Sequence, residues 1–223
     1  ATALYGSVNF QFTPATGMRA GLRYTKDEKD FAAQRTISPI GGGATGRLTA
    51  NPSDTDTSGD VSILHQVNAD TNIYARYARG FRAPSIQGRI LFGDTLSVAN
   101  SEHVSSIEAG VKADLWNKRA RIAATLFDYE IKDQQLTAVG GAANFNRLVN
   151  AEKSVGRGFE LDFQPLLAEN FMASLSASYN KTEIRDANLR IQACGSGCTV
   201  LDPITAPANP GAGVFAPTVW ING

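Results

Sequence analysis

The sequence predicts an all-β protein, an antiparallel up-and-down sheet of the kind that forms a transmembrane β-barrel. Three observations predict it. Apolar and polar residues alternate strictly over runs of about ten residues, the period-two signature of a strand with one apolar and one polar face. The connections between these runs alternate between short and long, as in barrels with tight turns at one end and long loops at the other. No segment has a convincing helical period.

Composition sets the outer limits. The chain has 223 residues, and 21 Lys and Arg balance 21 Asp and Glu. A nucleic-acid binder normally carries a basic excess or stripe, so that class is excluded. At 43% hydrophobic and 19% charged the chain is too apolar for general disorder. No run approaches the length of an apolar membrane helix, and no basic start leads into an apolar stretch, so any secretory signal is expected to lie outside these residues. Two cysteines are too few for a disulfide scaffold. A membrane barrel survives all of these tests, because alternation hides its strands from composition.

Eight strands are expected, at 3–12, 17–31, 59–68, 72–83, 103–115, 119–136, 153–164 and 171–184. In the first, Leu4, Gly6, Val8, Phe10 and Phe12 alternate with Tyr5, Ser7, Asn9 and Gln11. The second sets Met18, Ala20, Leu22 and Tyr24 against Arg19, Gly21, Arg23 and Thr25. In the third, His65 interrupts an apolar face of Val61, Ile63 and Val67; in the fourth, Arg79 interrupts Ile73, Ala75, Tyr77 and Phe81. The fifth is the clearest: Ile107, Ala109, Val111, Ala113 and Leu115 oppose Ser106, Glu108, Gly110, Lys112 and Asp114. The period slips in the sixth, where Ala120, Ile122, Ala124 and Leu126 give way to Phe127, Tyr129 and Ile131. A β-bulge or an exit from the apolar zone is expected at Leu126–Phe127. In the seventh, Phe159, Leu161 and Phe163 oppose Gly158, Glu160 and Asp162. In the eighth, Phe171, Ala173, Leu175, Ala177 and Tyr179 oppose Ser174, Ser176, Ser178 and Asn180, with Met172 out of pattern.

Tight turns are expected at Thr13–Thr16, Ala69–Thr71 and Trp116–Lys118, with a slightly longer one at Gln164–Asn170. Long loops are expected at 32–58, 84–102, 137–152 and after 184. Ten residues at ~3.3 Å each, tilted by ~40–45°, cross the ~25 Å apolar band of a membrane barrel. Phe10, Phe12, Tyr74, Phe81, Trp116, Tyr129, Phe171 and Tyr179 fall near strand ends, where an interfacial girdle places aromatics.

Six segments, in order, then resemble one family. Asn72–Ser85, NIYARYARGFRAPS, resembles an aromatic-rich strand of TonB-dependent outer-membrane receptors that runs into a Gly-Phe-Arg-Ala-Pro-Ser stretch. Ala20–Asp30, AGLRYTKDEKD, resembles the family's Gly-Leu-Arg-Tyr strand, and Glu108, Gly110 and Lys112 resemble its Glu-x-Gly-x-Lys strand. Phe127, Lys132 and Asp133 in LFDYEIKD, GRGFELD at Gly156–Asp162 and VWING at Val219–Gly223 resemble later strands. The resemblance implies an internal portion of a 22-stranded barrel, residues 1–223 forming part of the barrel domain, with plug and closing strands elsewhere. It also implies an outer-membrane location in a Gram-negative bacterium and contact with outer-membrane lipid. The partners implied are a plug domain, a TonB energy-coupling protein that engages a TonB box, and a small-molecule nutrient such as an iron–siderophore complex, cobalamin or an oligosaccharide. No enzymatic activity and no cofactor are implied. A sheet with two open edges leaves backbone groups unpaired in lipid, so these residues expressed alone are expected to aggregate. The rival readings are a passive porin-like channel and a soluble β-sheet binding module.

Candidate site residues follow from position. Arg82 is expected near the extracellular mouth, where Pro84 ends a strand. Phe145 and Arg147 are expected at an exposed loop tip and, with Arg82, are the ligand-contact candidates. Arg19, Arg23, Glu108, Lys112, Glu160 and Asp162 are expected to face the lumen, paired with each other or with a plug. Gly156 and Gly158 are expected to spare volume on that wall. Cys194 and Cys198 have the spacing of a small loop disulfide. Asp54-x-Asp56-x-Ser58-Gly59 has the start of a calcium loop, but His65 stands where the bidentate Glu belongs, so an acidic solvated loop is expected. GGGATGRL at 41–48 has phosphate-loop glycines but Arg47 and Leu48 in place of Lys and Ser/Thr, so it reads as a plain loop. No metal ligand set is expected, since His65 and His103 lie in separate segments.

Overall fold

A computed structural model describes residues 1–37, 43–90, 95–140, 145–192, 213–215 and 219–221. Its strands are β1 (Thr2–Thr13), β2 (Thr16–Glu28), β3 (Phe31–Ala33), β4 (Leu48–Ala50), β5 (Ser53–Asn68), β6 (Thr71–Arg82), β7 (Ser85–Gln87) and β8 (Ser97–Ala99). They continue as β9 (Glu102–Leu115), β10 (Ala120–Gly140), β11 (Phe145–Ala168), β12 (Phe171–Met172), β13 (Leu175–Ile184), β14 (Arg190–Gln192), β15 (Gly213–Phe215) and β16 (Val219–Ile221). The described residues contain no helix. The main sheet has ten strands in the order β1-β2-β5-β6-β9-β10-β11-β13-β16, with β12 paired to β11. Each main-sheet pairing is antiparallel, so the topology is a continuous meander. Three two-stranded hairpins, β3-β4, β7-β8 and β14-β15, sit within the long connections.

The tight turns occupy one end of this sheet, as the sequence predicts. Thr13 pairs with Thr16 and Asn68 with Thr71. Between β9 and β10, Trp116, Asn117 and Lys118 all have positive φ, of 53°, 55° and 65°. Three successive residues in the sparsely populated left-handed region reverse the chain within four residues. The Trp116 ring caps this turn edge-on to Phe163, with centroids 5.9 Å apart.

At the other end the strands run further than alternation suggests. β2 pairs residue for residue with β5 as far as Glu28 with Ser53, so the expected acidic loop at 54–58 is strand, and Asp56 is buried in it. The expected loop at 137–152 is largely the continuation of β10 and β11, paired out to Gly140 with Phe145. Polar composition disguised the first extension, because a strand beyond the apolar band loses its apolar face but keeps its ladder; the second keeps apolar residues, Val149 and Ala151 among them, but lacks strict alternation. At ~3.3 Å per residue, the 21 residues of β10 reach ~70 Å, far more than a ~25 Å apolar band needs even when tilted. The expected bulge at Leu126–Phe127 is absent: Leu126 faces Phe159 and Ala109, and Phe127 faces Gly158 and Glu108 without a break. The backbone irregularity lies at Asp133 instead, with φ 53°. The eighth strand is divided into β12 and β13.

Burial is inverted relative to a soluble domain. Leu4, Leu22, Leu126 and Leu175 are 77%, 68%, 67% and 65% exposed, all on the apolar face. Among the described residues no second layer covers that face; the buried apolar cluster is a small group, Ala151, Ile184 and Leu189, with Leu136 and Val149 packed against it. A continuous exposed apolar surface of this extent requires a non-aqueous neighbour.

Candidate functional site

Residues directly opposite each other in an antiparallel ladder project to the same face, so register defines the polar wall. One row reads Arg19, Ser62, Arg76, Glu108, Phe127, Gly158. The next row, toward the long loops, reads Ser7, Gly21, Asp60, Ala78, Ser106, Tyr129, Gly156, Thr182. Arg23, opposite Tyr5 and Ser58, lies one row further. Toward the tight turns, Glu160 sits opposite Thr125 and Ser178, while Lys112, Ala123, Asp162 and Ser176 share a row. The six charges picked from sequence therefore occupy one face of one sheet.

Their partners differ. Arg76 reaches Asp60 at 3.4 Å and Glu108 at 3.8 Å. Arg23 donates to Thr25 Oγ1 at 3.1 Å and lies over the Tyr5 ring at 5.9 Å. Lys112 lies over Tyr74 at 5.8 Å, and Asp162 accepts from Ser176 Oγ at 2.6 Å. Around the small-residue row between β1 and β9 the wall forms a hollow of about 590 Å³, with Arg19, Arg23, Arg76 and Asp60 in its lining.

Across β9–β13 the same face is filled. A Cβ on Gly110 would stand 2.6 Å from the Tyr74 ring, and one on Gly156 would stand 2.2 Å from Tyr129. One on Gly158 would be 2.8 Å from Phe127 and only 1.9 Å from the Tyr179 carbonyl oxygen. The phenols reach on to threonines, Tyr74 to Thr125 at 2.9 Å and Tyr129 to Thr182 at 3.2 Å, and Phe127 and Tyr129 stack at 6.3 Å. Gly156 and Gly158 do spare volume, but the wall's own rings occupy it.

At the loop end, a buried Asp56 carboxylate holds His103 and, at 3.5 Å, Arg79. Asp54 accepts from Ser101, and that hydrogen bond holds its carboxyl below the usual aspartate range, against a smaller opposing effect of burial. No group of three His, Cys, Asp or Glu among the described residues is arranged to hold a metal ion. Gln135, also buried, fastens the segment between β6 and β9. Its amide donates to the carbonyls of Ala83 and Asn100, both at 2.9 Å, and its oxygen accepts from Ser85 at 2.5 Å. Asn150 bonds both backbone groups of Asn100, at 2.8 and 3.0 Å. Lys29 reaches the Pro84 carbonyl at 2.7 Å, and Arg35 that of Ile90 at 2.7 Å. These clamps join three long connections into one framework.

Sequence reasoning missed the clamps, since a polar residue in an alternating strand gives no sign that it turns back onto another loop. Of the expected ligand contacts, Arg82 is exposed at the end of β6 opposite Glu102, and Arg147 is exposed on β11 opposite Ala138. Phe145 is placed by its backbone opposite Gly140; its side chain, like Cys194 and Cys198, lies outside the described residues.

Solved structures share this architecture. The ferric yersiniabactin uptake receptor FyuA from Yersinia pestis superposes with a TM-score of 0.68 at 19% identity, covering 82% of this chain and 26% of that one. The copper transporter OprC gives 0.70 at 17% identity, with 83% and 30% covered. The siderophore receptor PiuA from Acinetobacter baumannii gives 0.58 at 18%, with 89% and 26% covered. The chain thus spans between a quarter and a third of these three proteins' lengths. No curated protein matches it. Residues 1–201 match the family model described as TonB dependent receptor-like, beta-barrel, and the chain belongs to that family.

Proposed function

We propose that residues 1–223 are part of the barrel wall of an active transporter in the outer membrane of a Gram-negative bacterium, and that the protein is not an enzyme. The apolar face meets lipid, the polar face lines the lumen around a plug domain, and the clamped loops face outward to receive a scarce nutrient. The observation that carries this reading is a single sheet with one exposed apolar face and one charged face, in a chain of this family. The named neighbours, a ferric yersiniabactin uptake receptor, a siderophore receptor and a copper transporter, favour an iron- or copper-bearing solute, such as an iron–siderophore complex, over cobalamin or an oligosaccharide. Arg82, Phe145 and Arg147 stand at the loop end as ligand contacts, and a Cys194–Cys198 disulfide pins the last long loop. A TonB-type protein of the inner membrane supplies the energy by acting on the plug.

Uptake of iron-loaded siderophores by cells producing the full-length protein tests this reading. Transport that saturates and disappears when the host's TonB is deleted is the expected result. Uptake that persists unchanged without TonB would make the protein a passive channel.

A further inference from the structure

The hollow on the polar wall has cations that its own acids do not use. Its floor is small, with Ser7, Gly21, Ala78 and Ser106 in one row. Asp60, also in that row, is engaged by Arg76, which in turn reaches Glu108. Arg19 and Arg23 flank Gly21 on β2, two residues to either side and on the same face, so their Cα atoms lie ~13 Å apart. Arg23 has only neutral partners, the Thr25 hydroxyl and the Tyr5 ring. Arg19 has no hydrogen bond or ion pair among the described residues. Two guanidiniums therefore stand over a recess with most of their donors unspent. A guanidinium's planar fork matches a carboxylate or phosphate. Uncompensated cations are costly once water is displaced from such a wall.

We propose that this hollow is a seat for an oxyanion, a carboxylate or phosphate group held between Arg19 and Arg23 above Gly21. The proposal rests on the polar face being the lumen. Within a lumen the oxyanion has two sources: an acidic side chain of the protein's own plug, or an anionic solute in transit. Arg19 and Arg23 supply the fork, and Arg76 keeps Asp60 neutralised so that the floor does not repel the incoming group. The ring-filled half of the wall has no room for such a group.

The test is arginine modification by phenylglyoxal on the full-length protein in detergent, read by peptide mass spectrometry, with exposed Arg47 as the internal reference. Rates at Arg19 and Arg23 about tenfold below Arg47, the ratio that ~1.4 kcal/mol sets, that rise toward it in molar sodium chloride identify a seated carboxylate of the protein itself. Rates that match Arg47 in plain buffer and fall by a similar factor when citrate is added identify a seat open to solutes. Rates equal to that of Arg47 with and without citrate overturn the proposal. So do slow rates that neither salt nor citrate changes, because bulk alone then covers the arginines. Substituting Arg19→Gln is expected to return Arg23 to the reference rate. These readouts do not depend on uptake, so a protein that fails to transport yet protects both arginines refutes the transport reading and leaves the seat intact.

Discussion

Between β1 and β9 the polar wall is floored with small side chains and edged with guanidiniums; between β9 and β13 the same wall is packed with rings. Glycine appears in both halves and does opposite work. Gly21 faces Ser7 and Asp60, so its missing side chain leaves open space. Gly156 and Gly158 face Tyr129 and Phe127, so their missing side chains are sockets for a neighbour. The cross-strand partner decides which role a strand glycine has. A wall of uniform alternation thereby acquires one half with room for a bound group and one half that is rigid.

Adding one methyl group at each of the three glycines is the most severe way to break this comparison. Gly158→Ala is expected to cost more than ~3 kcal/mol, or to stop assembly, because its Cβ would meet the Tyr179 carbonyl oxygen at 1.9 Å and backbone in a ladder cannot yield. Phe127→Ala is not expected to rescue it. Gly156→Ala meets only the Tyr129 ring at its closest contacts, so a cost of about 1–3 kcal/mol from overpacking is expected, and little added cost in a Tyr129→Ala background. For Gly21→Ala the nearest atom is Asp60 Oδ1 at 3.6 Å, and the change is expected within about 0.5 kcal/mol. Urea midpoints of the full-length protein in detergent measure all three. Equal losses at Gly21 and Gly156 would erase the distinction between the halves.

Strict alternation made the sheet and its two faces legible from sequence. Arg19 and Glu108 could be assigned to one face because period two leaves no choice once a strand is recognised. Where the apolar face ends, that signal ends too. Asp54 and Asp56 read as a loop, although β2 pairs with them throughout, because no apolar partner marks their row. Phe127 and Tyr129 read as a slipped period, because an aromatic on a polar face breaks the alternation rule. Only the glycines directly opposite on the neighbouring strand, Gly156 and Gly158, explain why rings fit there. The Gln135 clamp was not legible at all, because its partners at Ala83 and Asn100 are backbone carbonyls, which carry no residue type, and its side-chain partner Ser85 is distant in sequence.

That clamp links the two halves, since β10 of the filled half holds the connection between β6 and β9. Gln135→Ala leaves the Ala83 carbonyl without its donor and the Asn100 carbonyl with Asn150 alone, at a cost of about 1–3 kcal/mol where the Ala83 group stays buried. The expected result is faster amide exchange over 84–101, read by mass spectrometry, with the Tyr129–Thr182 region unchanged. Loosening of both regions together would mean that the halves are one cooperative unit rather than two.

The smallest expected effect is acid sensitivity at the loop end of the hollow half. Asp54 accepts from Ser101 across the loop end of the hollow half, and its pKa is lowered by that bond. A carboxyl depressed in the folded state contributes stability that is fully present above its unfolded value, near 3.9, and is lost as pH falls through the folded value. Acidification through that window is expected to raise exchange at 99–104. Asp54→Asn keeps an acceptor for the Ser101 hydroxyl and removes the titration, so its exchange over 99–104 is expected to be flat across the same window. A variant that still loosens with acid would overturn Asp54 as the source of the sensitivity.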